Sequence, residues 1–196
     1  MKWSVRLALA VVVLALLLTA VGCSTNTDTG LTSGQRISAQ EAWKVMEADV
    51  AKWKAGSMII ECRQPARRGK EDLGVDGLSS AWRFIVGPLG DGNQAYYTID
   101  TTAEPIKPNR SEQVRPAAKA ILDPATWTID SPKAMEIALA NGLQEFIDGH
   151  ASFEVRMMTF EIDITVEQGA FWKVEAKDGS DVLALKISAA DGSILP

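Results

Sequence analysis

Two cysteines, one histidine and one basic cluster hold most of the chemistry available to this chain of 196 residues. Cys62 stands in Ser57-Met58-Ile59-Ile60-Glu61-Cys62-Arg63, an apolar-rich run that predicts a strand. Free cysteine is among the most buried residue types, and a cysteine nucleophile needs a base beside it. Cys62 is therefore expected to be buried and inert. The only histidine, His150, follows Asp148-Gly149 at a predicted helix end, where a capping or surface role is expected. Arg63, Arg67, Arg68 and Lys70 form a basic cluster in a loop with Pro65 and Gly69. Such a cluster suits contact with anionic lipid headgroups or cell-wall polymer, or is simply a solvated loop face. Asp178, Asp181 and Asp191 lie in turn contexts, where carboxylates serve backbone geometry; a calcium contact there would need a full oxygen shell. Glu161 and Asp163 alternate with apolar residues and read as a solvated strand face. The chain contains no His-Glu-x-x-His, glycine-rich phosphate loop, paired-cysteine metal motif or Gly-x-Ser-x-Gly. No catalytic residue, metal, cofactor or small-molecule substrate is predicted. An enzyme with an unrecognised site, centred on Cys62 or a carboxylate pair, is the competing reading.

The second cysteine sets the address. Met1 to Arg6 is a short basic start, Leu7 to Ala20 is nearly all apolar, and Ala20-Val21-Gly22 puts small residues before Cys23. This order is that of a secretory signal with its cleavage site. The run into Cys23 resembles a bacterial lipobox, with Ala20 where Leu is more typical. The resemblance implies that the Cys23 sulfur is acylated with diacylglycerol and becomes the new N-terminus. One acyl chain holds a protein only marginally at a membrane and two hold it stably. No later stretch is apolar enough to span a bilayer. The expected location is extracytoplasmic, lipid-anchored to the cell membrane, or to an outer membrane if the host has two. Removing residues 1–22 deletes Lys2 and Arg6 and no acid, which takes the formal charge from −5 to −7. That balance disfavours nucleic-acid partners. Residues 23–36 are rich in Thr, Ser and Gly and read as a flexible tether.

The elements beyond the tether recur. Ile37 to Val45 matches Ile129 to Ile137 at an offset of 92 residues. Ala81-Trp82-Arg83-Phe84 matches Phe171-Trp172-Lys173-Val174 at an offset of 90, and Tyr97 to Ile106 matches Leu185 to Ile194 at an offset of 88. Three blocks in one order predict two copies of one unit, with length changes confined to loops. In the first copy, Ser38-Ala39-Gln40-Glu41 has capping-box form. The helix after it puts Ala39, Ala42, Trp43, Met46, Val50 and Trp53 on one face. Strands are expected near 57–64, 80–87 and 94–100. In the second copy Asp130 or Ser131 caps a helix with Pro132 in its first turn, and its buried stripe is Met135, Ala138, Leu139, Gly142 and Phe146. Gly142 is a weak point there, since mid-helix glycine costs about 1 kcal/mol relative to alanine. Strands follow over 153–157 and 160–166, with a bulge or bend at Met157-Met158, then through Trp172 to Ala176 and Leu183 to Ile187. Lys177-Asp178-Gly179-Ser180 is a hairpin signal.

The expected fold class is α+β: two tandem units, each a helix packed on a three-stranded antiparallel sheet. The first unit spans 37–107 and the second 129–196. Residues 108–128 connect them, with a short helix over Pro116–Leu122. Trp43, Trp53, Trp82, Trp127 and Trp172 either line a ligand groove or pack the core, and four fall at core-facing positions. Trp127 is expected to staple the copies together.

Residues 129–195 resemble the PepSY domain through Asp130, Ala134, Ile137, Trp172, Val174, Ile187, Asp191, Gly192 and Ile194. Residues 37–107 resemble it less closely, since Ala103-Glu104-Pro105 stands where the second copy has Asp191-Gly192-Ser193. PepSY domains occur in propeptides of secreted metallopeptidases, in a spore-germination protein and in envelope lipoproteins. The resemblance implies a non-catalytic module that binds or restrains an envelope protein or peptidase, possible partners that join the membrane reached through Cys23. A structural scaffold lipoprotein is the alternative. Fold alone does not choose between them.

Overall fold

The computed structural model describes residues 29–65, 74–150 and 158–196, with 158–160 by backbone only. The predicted signal, Cys23 and the predicted bend at Met157 lie outside the described residues.

Helix α1 (Ala39–Trp53) begins as its sequence dictates. The Ser38 hydroxyl accepts the Glu41 amide at 3.2 Å, and the Glu41 carboxylate accepts the Ser38 amide at 2.7 Å. Ala39, Ala42, Trp43, Met46 and Val50 are buried. Strands β1 (Met58–Arg63), β2 (Ala81–Gly87) and β3 (Asn93–Asp100) come next. Strand β4 (Asn109–Val114) occupies part of the expected connector, and all six of its residues are exposed. A single 3-10 turn (Pro124–Thr126) leads to helix α2 (Ser131–Ala138), a π-type segment (Leu139–Leu143) and helix α3 (Gln144–Gly149). Strands β5 (Met158–Thr165), β6 (Gly169–Asp178), β7 (Asp181–Ser188) and β8 (Ile194–Leu195) complete the chain.

The strands form one antiparallel sheet in the order β4-β3-β2-β1-β5-β6-β7-β8. The expectation is a three-stranded sheet in each unit, the two halves forming one compact body. The two sheets merge because β1 and β5 pair directly, Cys62 with Ile162 and Arg63 with Glu161. Across the sheet Tyr97, Phe84, Cys62, Ile162, Trp172 and Ile187 each lie opposite the next, and all six are fully buried. This row is the floor of one core. Trp43 meets Phe84 and Trp53 meets Tyr97 from α1 above it.

The two ends of the core share a bonding pattern. The Trp82 indole N–H donates to the Ile37 carbonyl at 2.9 Å. The Ile129 carbonyl accepts the indoles of Trp172 and Trp127, each at 2.8 Å. The helix starts also touch: the Ala39 amide donates to Ser131 Oγ and the Gln40 amide to Asp130 Oδ1, both at 3.0 Å. Orphan amides of the first helix are thus satisfied by residues that open the second.

Three local expectations change. Pro116–Leu122 is not helical, because Leu122 exchanges backbone hydrogen bonds with Ile59 at 2.7 and 3.2 Å and closes onto β1. The buried stripe of the second helical region passes through Leu143 rather than Gly142. The helix breaks there: Asn141 (φ −115, ψ 35) and Gly142 (φ 110, ψ −14) leave helical geometry, and the kink redirects the residues beyond it. Finally, the chain is already held before residue 37. The Gly34 amide donates to the Thr101 carbonyl at 2.8 Å, and Arg36 grips Asp76 at 2.7 and 2.8 Å.

Candidate binding surfaces

Helix α1 presents its outer shoulder to two chain reversals, the turn after Trp53 and the 3-10 turn before α2. Between them lies a cleft of about 500 Å³, lined in part by Gln40, Trp43, Val50, Met58, Pro124 and Trp127. Local chemistry fixes its walls. Asp123 Oδ1 accepts the Ala125 amide at 2.9 Å and caps the 3-10 turn. Gln40 Nε2 donates to the Trp127 carbonyl at 2.7 Å and ties that turn to α1. Lys54 pairs with Asp91 at 2.6 Å, and this bond with the Asn93 amide lowers the Asp91 carboxyl to about 2. Two residues of the lining, Trp43 and Ser57, hold buried polar atoms without a hydrogen-bond partner, Nε1 and Oγ. An unpartnered buried donor costs about 1–3 kcal/mol. The lining also carries Lys44, Glu47, Lys54 and Asp123, so the cleft offers charged as well as apolar groups to a binding partner.

The sheet face away from the helices carries a line of charge. Arg83, Arg63, Glu161, Lys173 and Lys186 each lie opposite the next across five strands. Arg63 Nε is 3.0 Å from Glu61 Oε1, and Lys173 Nζ is 3.7 Å from Glu161 Oε1. Glu161, expected to be solvated, is half-buried, and burial raises its carboxyl. Asp163 is exposed as expected. Of the basic cluster, Arg63 lies on this face, whereas Arg67, Arg68 and Lys70 lie outside the described residues.

Cys62 is fully buried between Phe84 and Ile162, and burial pushes its thiol well above the ordinary range. A thiol held neutral is a poor nucleophile. His150 caps α3: its ring stacks on Phe146 at 4.1 Å, Nδ1 meets the Phe146 carbonyl at 2.6 Å and Nε2 meets Asp181 at 3.2 Å. The Phe146 carbonyl and then Asp181 raise its pKa. The two residues thus serve different parts of the fold. Asp191 accepts the Ser193 amide and hydroxyl at 3.0 and 2.8 Å, which lowers its carboxyl to about 2. Among the described residues no group of three or more His, Cys, Asp or Glu side chains converges as a metal site would. No helix among them is long and apolar enough to cross a membrane.

The position of the cleft was not legible in the sequence. The tryptophans read as lining a ligand groove or packing the core; Trp43 and Trp127 are both buried, and Trp127 packs on Trp172. That they also wall one cleft depends on how the 3-10 turn returns to α1.

No family model matches the chain, and no curated protein matches it. Among solved structures it is similar to a protein described as a lipoprotein from Clostridium difficile 630. The TM-score is 0.50 at 14% sequence identity, over 79% of this chain and 90% of that one. At that identity the likeness concerns the fold: an α+β architecture with one antiparallel sheet and few helices.

Proposed function

We propose that this chain is a non-catalytic envelope lipoprotein, anchored through Cys23, whose folded part is a pair of PepSY-like units that holds a polypeptide partner, a peptidase being the class favoured. The observation that carries the binding role is the cleft beside α1. Its lining combines the apolar groups of Trp43, Val50, Met58 and Trp127 with the charged groups of Lys44, Glu47 and Asp123. A polypeptide offers apolar side chains to the first set and backbone or charged groups to the second. The duplicated reading is supported by matched bonds at matched positions, Trp82 to Ile37 and Trp172 to Ile129. The anchored reading is supported by the residues before Cys23 and by the fold shared with a protein described as a lipoprotein.

A photo-crosslinking residue placed at Lys44 or Ala51, on the exposed shoulder of α1, tests the binding role in the native host. Crosslinks to one polypeptide from these positions, and none from Asp163 on the opposite sheet face, are expected. Equal labelling from all three positions, or none from the shoulder, would leave a structural scaffold as the better reading. The anchor is tested separately. Cys23→Ser is expected to abolish incorporation of labelled fatty acid and to move the protein out of the membrane fraction.

A further inference from the structure

We infer that strand β4 is a self-association edge, which pairs antiparallel with β4 of a second copy about an axis through Ser111. The inference concerns a surface other than the cleft, though it rests on membrane anchoring to bring copies together. Strand β4 is the end strand of the sheet, and all six of its residues are exposed. An edge strand offers a row of backbone N–H and C=O groups to another strand. Charges on an edge normally discourage such pairing, and Arg110 and Glu112 are present here. Their order reverses the argument. An antiparallel pair centred on Ser111 puts Arg110 opposite Glu112 of the second copy, and Glu112 opposite its Arg110. Asn109 then meets Gln113. Val114, one of the most exposed large apolar residues at 84%, meets Pro108.

The sign pattern also selects the register. Centring the pair on residue 110 or on residue 112 sets arginine against arginine or glutamate against glutamate, and like charges directly opposite are unfavourable. Within one copy Arg110 interacts with the Tyr97 side chain and lies 3.8 Å from Asp49 and 3.5 Å from Glu112. Both acids lie on the same side of the strand, so the arginine can exchange one Glu112 for another. The axis would be perpendicular to the sheet, which makes the interface isologous and closed. A single pair of strands buries less than the roughly 1,200 Å² of a stable soluble dimer. Association is therefore expected where tethering raises the effective concentration of the edges.

The test uses the full chain in its native membrane. Ser111→Cys places two thiols across the axis. Cys62 is buried, and a short bis-maleimide should yield a covalent dimer from Ser111→Cys and none from Lys119→Cys, an exposed control. Adding Arg110→Glu should abolish the dimer, and the double exchange Arg110→Glu with Glu112→Arg should restore it. Dimer formation that ignores the charge changes, or no dimer from a chain recovered in the membrane fraction, overturns the inference. Recovery outside the membrane fraction overturns the anchored reading instead, and with it the condition on which this dimer depends.

Discussion

Trp82 and Trp172 meet edge to face in the centre of the molecule, with ring centroids 6.2 Å apart. Both are fully buried, and each indole N–H reaches the carbonyl of the isoleucine that precedes a helix cap. Strands β2 and β6 are thus joined through one aromatic contact. Such pairs contribute about 0.5–1.5 kcal/mol beyond the area they bury. A double-mutant cycle of Trp82→Ala and Trp172→Ala is expected to show coupling of about that size in urea unfolding, with each single change costing about 3–5 kcal/mol. Strict additivity would mean that the halves are stabilised independently.

Trp43 offers a contrast within the same core. Trp82→Phe gives up a hydrogen bond worth about 0.5–1.5 kcal/mol along with ring volume. Trp43→Phe gives up no hydrogen bond and removes a donor whose burial is itself unfavourable. The loss of stability for Trp43→Phe is expected to be smaller by about 1 kcal/mol or more. Equal losses in chemical denaturation would show that the Trp43 N–H has an acceptor in the folded protein.

Gly77 sits where the loop before β2 meets the start of α2. At φ 72, a side chain there would approach the Ser131 carbonyl oxygen to 2.4 Å. Gly90 has a similar φ of 75 but open space around it. Gly77→Ala should therefore cost more than Gly90→Ala, which carries only the backbone strain of about 1–2 kcal/mol. Thermal unfolding of the pair distinguishes a tight contact from simple strain; equal shifts in Tm would mean that the loop does not press on the helix.

The pH dependence has opposite signs at its two ends. His150 has a raised pKa, so its stabilising protonated form is fully present below the ordinary value of 6.5 and is lost as pH rises through the raised value. Asp91 and Asp191 are lowered from 3.8 to about 2, so their contribution is present above 3.8 and lost as pH falls towards 2. Tm is expected to fall at both ends of a scan from about pH 2 to about pH 9. His150→Gln should remove the part of the alkaline dependence that falls near neutral pH, leaving the fall that begins as the unfolded Cys62 thiol ionises. The sole histidine can also be titrated directly by NMR, where an apparent pKa below 6.5 would contradict the Asp181 contact.

Cys62 should resist alkylation at neutral pH in the folded protein and react fully in denaturant. Its raised pKa and complete burial both disfavour the thiolate. Rapid modification of the native chain would revive the reading of an enzyme built around this residue.

The features legible without coordinates were local and periodic. Ser38 and Glu41 formed their capping box because both partners lie within one helical turn. The hairpin at Lys177 to Ser180 formed because Gly179 supplies the positive φ, here 61, that the turn requires. The inward faces of Trp172, Val174 and Ala176 come from the alternation of a strand. The features that the tertiary structure decided depend on residues far apart in the chain. Only the pairing of Cys62 with Ile162 joins the strands into one sheet and leaves β4 at its edge. The contact of Leu122 with Ile59 cancels the short helix, and with the Gln40–Trp127 bond it brings the turn with Trp127 beside Trp43. Periodicity records which side of an element is apolar, because that side must leave water. It carries no record of which distant element will cover it, since many apolar partners recover similar free energy and shape alone chooses among them.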